Sequence, residues 1–312
     1  MKLAVVIPCY NEEAVLGVTL LRMSELFERL QKKKLITADS FILFVDDGSR
    51  DKTWECITDF HEKYPFVRGL KLSGNVGHQK ALFAGLMTAK ESADVIVSID
   101  ADLQDDPDVI EQMISAYLEG NDVVYGVRSE RKTDTLFKRG TAQIFYRLMH
   151  WLGAKLVYNH ADYRLMSKRA VDALSEYGER NLFLRGMVPL VGFQSTTVLY
   201  ERGERVAGES KYPLKKMISF AIDGITSFSA RPLHLISGLG LSVVLLSIAA
   251  AIYSLISYAE GKTVPGWTSI ILSVWFLGGV ILLSVGIVGQ YIGKIYIEVK
   301  KRPLYHVERY LE

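Results

Sequence analysis

Between Pro232 and Gly293 the chain carries only two side chains of the Asp, Glu, Lys or Arg type, Glu260 and Lys262. Inside that interval, Leu233 to Tyr258 and Trp267 to Ile292 are each long enough as helices to cross a bilayer core, which takes about 20 residues. A short polar link from Ala259 to Gly266, with a proline and a glycine, makes the pair a helical hairpin. Two core helices buried inside a soluble unit are the alternative. Lys211, Lys215, Lys216 and Arg231 precede the hairpin and Lys294, Lys300, Lys301 and Arg302 follow it, while the link has no positive excess. Positive flanks stay on the cytoplasmic side, so the long N-terminal region and the C-terminal tail are both expected there. Tyr253, Tyr258, Trp267 and Tyr291 fall near the expected interfaces, where amphipathic rings anchor.

The region ahead of the hairpin is long enough for a sizeable core of its own. A net charge of +2 gives no general pull toward polyanions, and no nucleic-acid partner is expected. The two cysteines, Cys9 and Cys56, sit inside apolar or helical patterns. They make neither a disulfide framework nor a metal quartet, which fits a reducing compartment. Met1 to Tyr10 holds a strand-like run too short for a signal peptide.

Apolar runs at Leu3–Ile7, Phe41–Val45, Val67–Leu72, Val95–Ile99 and Asp122–Tyr125 read as strands. Amphipathic stretches from about Glu13 to Gln31, through Lys63, after Asn75-Val76-Gly77 and from Pro107 to Glu119 read as the helices between them. Ala81, Ala84, Gly85 and Ala89 would let the third helix lie close on the sheet. Strands alternating with helices predict an α/β fold with a mostly parallel sheet. Leu136–Leu152 and Tyr212–Phe228 interleave cationic and aromatic residues, as interfacial helices do. Ordinary surface helices are the alternative for the first.

Polar side chains recur where the strands end: Asn11 and Glu13, Asp46 and Asp47, Asp100 and Asp102, and Arg128. Each alone has a local explanation as a cap or turn former. Several on one edge of one sheet predict a nucleotide cleft, because parallel sheets bind ligands at that edge. Asp100, Asp102 and Gln104 are hard oxygen donors suited to Mg²⁺ or Mn²⁺ on a diphosphate. No G-x-G-x-x-G or Walker-type loop follows the first strand, which argues against a dinucleotide fold or a P-loop NTPase. His78, His160 and His234 lack ligand spacing and read as structural.

The segments Val-Val-Ile-Pro-Cys-Tyr-Asn-Glu-Glu, Val-Asp-Asp-Gly-Ser and Asp-Ala-Asp-Leu-Gln-Asp-Asp-Pro resemble family-2 glycosyltransferases of the GT-A fold. Within that family the chain is similar to the dolichol-phosphate mannose synthase group, especially bacterial polyprenyl-phosphate glycosyltransferases with a C-terminal membrane hairpin. The resemblance spans essentially the whole chain, including Asp162-Tyr163-Arg164-Leu165 and Arg202…Gly208-Glu209-Ser210-Lys211-Tyr212. It implies a Rossmann-like GT-A domain over 1–210, a juxtamembrane amphipathic helix over 211–231, two transmembrane helices over 232–293 and a cytoplasmic tail over 294–312. Pro8, Tyr10, Asn11 and Glu13 would line the nucleoside pocket, with Asp46 and Asp47 at the base and Asp100 and Arg128 by the nucleotide. Asp102 and Gln104 would hold the metal. Arg131, Arg202, Ser210 and Lys211 match phosphate-receiving positions, and Asp162 matches an acceptor-side acid often discussed as a base. Tyr163 departs from the Phe of many relatives.

The implied reaction is inverting transfer of one sugar from a nucleotide-diphosphate sugar, UDP-glucose or a UDP-N-acetylhexosamine, to polyprenyl (undecaprenyl) phosphate. It would take place at the cytoplasmic face of a bacterial inner or plasma membrane and serve envelope glycan modification. A homo-oligomer is expected, since exposed hairpins of this type often pack against copies of themselves. A helix cap before Tyr163–Leu174 is the plain alternative for Asp162. For the whole chain, a processive polysaccharide synthase is disfavoured by having only two spans and no Q-x-x-R-W motif. A non-catalytic membrane scaffold is disfavoured by the presence together of Asp100, Asp102, Gln104 and Asp162.

Overall fold

The computed structural model describes residues 1–129, 160–201, 231–260 and 266–312. The chain divides into two compact units. The first opens with β1 (Leu3–Cys9), α1 (Glu13–Lys32), β2 (Phe41–Asp46), α2 (Thr53–Lys63) and β3 (Val67–Leu72). It continues through α3 (His78–Ala89), β4 (Val95–Ser98), α4 (Val109–Leu118) and β5 (Val123–Arg128). After the undescribed interval come β6 (His160–Ser167), α5 (Lys168–Ser175), the short α6 (Leu184–Met187), a 3₁₀ turn over Val188–Val191 and β7 (Ser195–Tyr200).

Among the described residues eight strands form one sheet in the order β7-β5-β6-β4-β1-β2-β3-β8. β1 pairs in parallel with β2 and β4, and β2 with β3. β1 and β2 are buried along their whole length, as unbroken apolar runs require when helices cover both faces of a sheet. The chain builds outward from β1 to β2 and β3, then returns to lay β4 on the other side of β1. That reversal is a topological switch point, and sheets of this kind bind their ligands beyond the carboxyl ends of the strands that flank it, here β1 and β4.

Three strands escaped the sequence reading. β6 runs antiparallel to both β4 and β5, so Asp162 lies in a strand and does not cap a helix over 163–174. The helix there starts at Lys168, where the Ser167 hydroxyl accepts from the Ala170 amide. β7 pairs in parallel with β5. The C-terminal segment, read as a tail, contributes β8 (Val307–Leu311), antiparallel on β3. Lys71 with Glu308 and Arg68 with Tyr310 join those two strands across their side chains.

Small residues do bring α3 close. A methyl group on Gly85 would overlap the side chains of Val6 and Val45. Gly85→Val is therefore expected to lower stability by about 1–3 kcal/mol through overpacking. Thermal unfolding of the full chain in detergent measures this, and an unchanged midpoint would show that α3 can lift off the sheet.

The second unit holds α7 (Arg231–Ala259) and α8 (Trp267–Lys300). Both are long and apolar enough to cross a membrane. Trp275 is 78% exposed and Leu282 74%, whereas core helices of a soluble unit would bury such side chains. The predicted interfacial helices over 136–152 and 212–228 fall outside the described residues.

Candidate active site

Two loops at the sheet's carboxyl edge are sewn together by their own polar groups. The Asn11 amide donates to Ser49 Oγ at 3.0 Å and Asn11 Oδ1 accepts from the Arg50 amide at 2.9 Å. The Glu12 amide donates to Thr53 Oγ1 at 2.8 Å, and Glu13 Oε2 accepts from the Lys52 amide at 2.9 Å. Asn11 takes φ +54°, a left-handed conformation that Asn tolerates better than most residues. Pro8 is buried in β1 beside Val45, and Tyr10 is exposed at the loop. Five predicted residues, Pro8, Tyr10, Asn11, Glu13 and Asp46, thus lie at the carboxyl ends of β1 and β2 or just beyond them.

Asp46 and Asp47 do different work. Asp47 accepts from the amides of Val76 (2.7 Å) and Gly77 (3.0 Å), so both its oxygens fasten the turn entering α3. Asp46 accepts from the Ser49 amide through Oδ1, while its buried Oδ2 has no hydrogen-bond partner among the described residues. Burial raises the pKa of both carboxyls. Gly48 follows them at φ +65°, and a Cβ there would strike the Gly74–Asn75 backbone at 2.6 Å. Only glycine fits that approach.

Beyond β4 the chain turns through Asp100 and Asp102. Asp102 Oδ1 accepts from the Gln104 amide at 3.2 Å across Leu103, itself held at φ +51°. A non-glycine residue in that region marks a turn fixed by its surroundings. Burial, with the neighbouring Asp162, Asp105 and Asp102 charges, pushes the Asp100 carboxyl up to about 6 against the pull of His78. The next carboxylate, Asp105, is 1% exposed. It accepts from the Tyr200 hydroxyl at 2.5 Å and from Arg128 Nη2 at 3.0 Å. Tyr163 adds a restraint that phenylalanine would lack, its hydroxyl donating to the Asp106 carbonyl at 2.8 Å.

Asp162 is the hub on the other side. Arg164 Nη2 donates to its Oδ1 at 2.5 Å, and Arg185 Nη2 and Gln79 Nε2 each donate to its Oδ2 at 3.0 Å. His78 Nε2 lies 3.6 Å from both Asp162 Oδ2 and Asp100 Oδ1, bridging β6 to the end of β4. Burial alone would raise the Asp162 pKa, but Arg185, His78 and Arg164 outweigh it and hold the carboxyl well below the usual range. Burial likewise disfavours charge on His78, and the two carboxylates more than offset it, raising its pKa.

Sequence reasoning read His78 as structural and gave no role to Gln79, Arg164, Arg185, Asp105 or Tyr200. Gly77-His78-Gln79 directly after a strand-end loop was a visible signal for two of them. Arg185 and Tyr200 are brought in by elements with no strong periodic pattern. Arg131, Arg202, Ser210 and Lys211 lie outside the described residues. A separate hollow at the opposite end of the sheet, lined by Met1, Asp94, Asp122 and Arg169 among others, contains none of the predicted residues.

Residues 4–175 match the model of glycosyl transferase family 2. An uncharacterized glycosyltransferase of Bacillus subtilis, YkoT, is 55% identical over 98% of this chain and 91% of its own length. The SfII prophage-derived bactoprenol glucosyl transferase of Shigella flexneri is 40% identical over 99% and 98%. A prophage bactoprenol glucosyl transferase homolog of Escherichia coli is 38% identical over 99% of both chains. A match to that model over more than half the chain, with relatives aligned over nearly its whole length and a mostly parallel sheet carrying carboxylates at its carboxyl edge, makes this protein a GT-A glycosyltransferase belonging to glycosyl transferase family 2.

Proposed function

We propose that the chain transfers a single sugar, with inversion, from a nucleotide-diphosphate sugar to a polyprenyl phosphate at the cytoplasmic face of the membrane. The observation that carries this reading is the state of Asp162. A carboxylate pinned by two arginines and held well below its usual pKa is a weak base. An alcohol acceptor would need a stronger one. A phosphate monoester is already largely ionised at neutral pH, its second pKa being about 6, and needs none. Asp162 then positions its neighbours and does not remove a proton.

Relatives named bactoprenol glucosyl transferases match over essentially the full chain, which supports a lipid acceptor and a glucosyl donor such as UDP-glucose, with a UDP-N-acetylhexosamine next. The two apolar helices would hold the enzyme at that acceptor's surface. On the donor side, the Asp46 Oδ2, without a partner among the described residues, is an acceptor suited to a nucleobase N–H. Pro8, Tyr10, Asn11 and Glu13 would frame the nucleoside, and Asp100 and Arg128 the phosphates.

Asp102 and Gln104 would hold Mg²⁺ or Mn²⁺. Their turn offers a carboxylate and an amide oxygen as hard donors. That suits a cation that takes most of its ligands from diphosphate and water. A divalent cation held there would supply positive charge against the diphosphate leaving group. Arg131, Arg202, Ser210 and Lys211 would receive the acceptor or donor phosphate, arginine as a fork and lysine as a point charge.

The test is release of nucleoside diphosphate from a panel of nucleotide sugars by the full chain in detergent, with and without polyprenyl phosphate. Release from one donor that rises steeply with the lipid is expected. Release indifferent to the lipid, or obtained only with a sugar alcohol as acceptor, would contradict the reading.

A further inference from the structure

Arg185 sits in the short helix α6 with its side chain 43% exposed. The backbone just ahead of it is fixed from both sides. The Leu184 amide donates to Gln79 Oε1 at 3.1 Å, and the Leu184 carbonyl accepts from Arg164 Nη1 at 3.3 Å. The root of the side chain is therefore held while its head reaches the opening.

Asp162 offers one negative charge to two guanidiniums. Arg164 is 1% exposed and cannot be left without that charge. Arg185 is in a different position. Its Nε and Nη2 face Asp162 at 3.3 and 3.0 Å, and its remaining donors have no partner among the described residues. It also lies within electrostatic reach of Asp100 and of Arg128, so two guanidiniums, each anchored on a buried carboxylate, look onto the same acidic turn. A guanidinium presents donors in a planar fork that matches two oxygens of a phosphoryl group.

We propose that Arg185 is a phosphate-gripping residue of this site, donating to two phosphoryl oxygens of a substrate from the face it does not give to Asp162. This deepens the function proposed above and takes from it only that the substrates carry phosphate. The phosphoryl group belongs either to the donor's diphosphate or to the lipid's monophosphate, and the chemistry at Arg185 is the same for both.

The test titrates the full chain in detergent, with Mg²⁺ present, against inorganic pyrophosphate in one arm and a short prenyl monophosphate in the other. Arg185→Ala is expected to weaken at least one of them by about tenfold to a hundredfold, the loss of a charged hydrogen-bonded contact. Loss in the pyrophosphate arm alone assigns the donor, loss in the prenyl arm alone assigns the lipid, and loss in both means the two phosphates visit one site. Arg185→Lys, which keeps the charge without the fork, should recover part of the affinity, and it is read in place of Arg185→Ala should that variant fail to fold. Affinities for both probes within about twofold of wild type in the folded variant would overturn the proposal, as would a wild-type chain that binds neither. Sugar transfer failing while these titrations behave as expected would overturn the lipid-acceptor reading alone.

Discussion

Asp162→Asn is expected to destabilise the α/β unit by about 3–5 kcal/mol, the cost of breaking a buried ion pair from one side. The substitution keeps the shape of the side chain and removes the charge that Arg164, 1% exposed, depends on. In a unit of this size that corresponds to roughly 6–20 °C in the unfolding midpoint. The pair Asp162→Asn with Arg164→Met should lose less than Asp162→Asn alone, because the double change removes the stranded charge as well. The pH dependence has a definite sign. Arg185, His78 and Arg164 hold the Asp162 carboxyl below its unfolded value in spite of burial. Its contribution is therefore complete above the unfolded pKa of about 3.9 and fades as pH falls through the lower folded value. Wild type should lose stability on acidification below about pH 4, and Asp162→Asn should lose less over the same interval. Equal acid sensitivity in the two proteins would show that the carboxylate is not the anchor of this cluster.

Asp102→Ala is expected to lower transfer by at least about 10²–10³-fold, the scale for removing a group that stabilises charge developing in the transition state. Stability should change little, since the side chain is only half-buried and supports one local turn. Asp102→Asn separates two roles. The amide oxygen can still accept from the Gln104 amide and keep the turn, but it lacks the carboxylate charge. Inactivity of both variants with unchanged unfolding midpoints assigns Asp102 to the chemistry. Near-normal turnover of Asp102→Asn would reduce it to a turn former.

The central sheet was legible because its strands are unbroken apolar runs closed by polar turns. Leu3–Ile7 and Phe41–Val45 needed only a residue or two more at their ends. Gly85 announced close helix–sheet packing by its spacing with Ala81, Ala84 and Ala89. β6 was hidden because it carries Asp162 and Arg164 inside the strand, and a buried ion pair erases the apolar pattern that marks a strand. β7 alternates exposed with half-buried positions and carries three hydroxyl or polar residues in its first half. β8 is exposed along most of its length and is defined by its pairing with β3, a contact made across more than two hundred residues of chain.

The candidate site was legible to the same degree. Residues that end a strand in sequence, such as Asp46, Asp100 and Asp102, could be placed on one edge from topology alone. His78 and Arg185 could not, because what distinguishes them is Asp162, and nothing local in the sequence says that β6 lies next to β4. Asp47 shows the converse: a motif residue whose two oxygens are committed to the amides entering α3. Its work is to hold the loop from which His78 and Gln79 reach the hub.

Mass analysis of the lipid product tests the account most directly. The purified full chain is incubated with polyprenyl phosphate, Mg²⁺ or Mn²⁺ and each nucleotide sugar in turn, and the extracted lipid is weighed by mass spectrometry. The account predicts one product, the polyprenyl phosphate heavier by a single hexose or N-acetylhexosamine, formed from one donor. A ladder of several sugars on the lipid, or no lipid product with any donor while the nucleotide sugar is consumed, would contradict it.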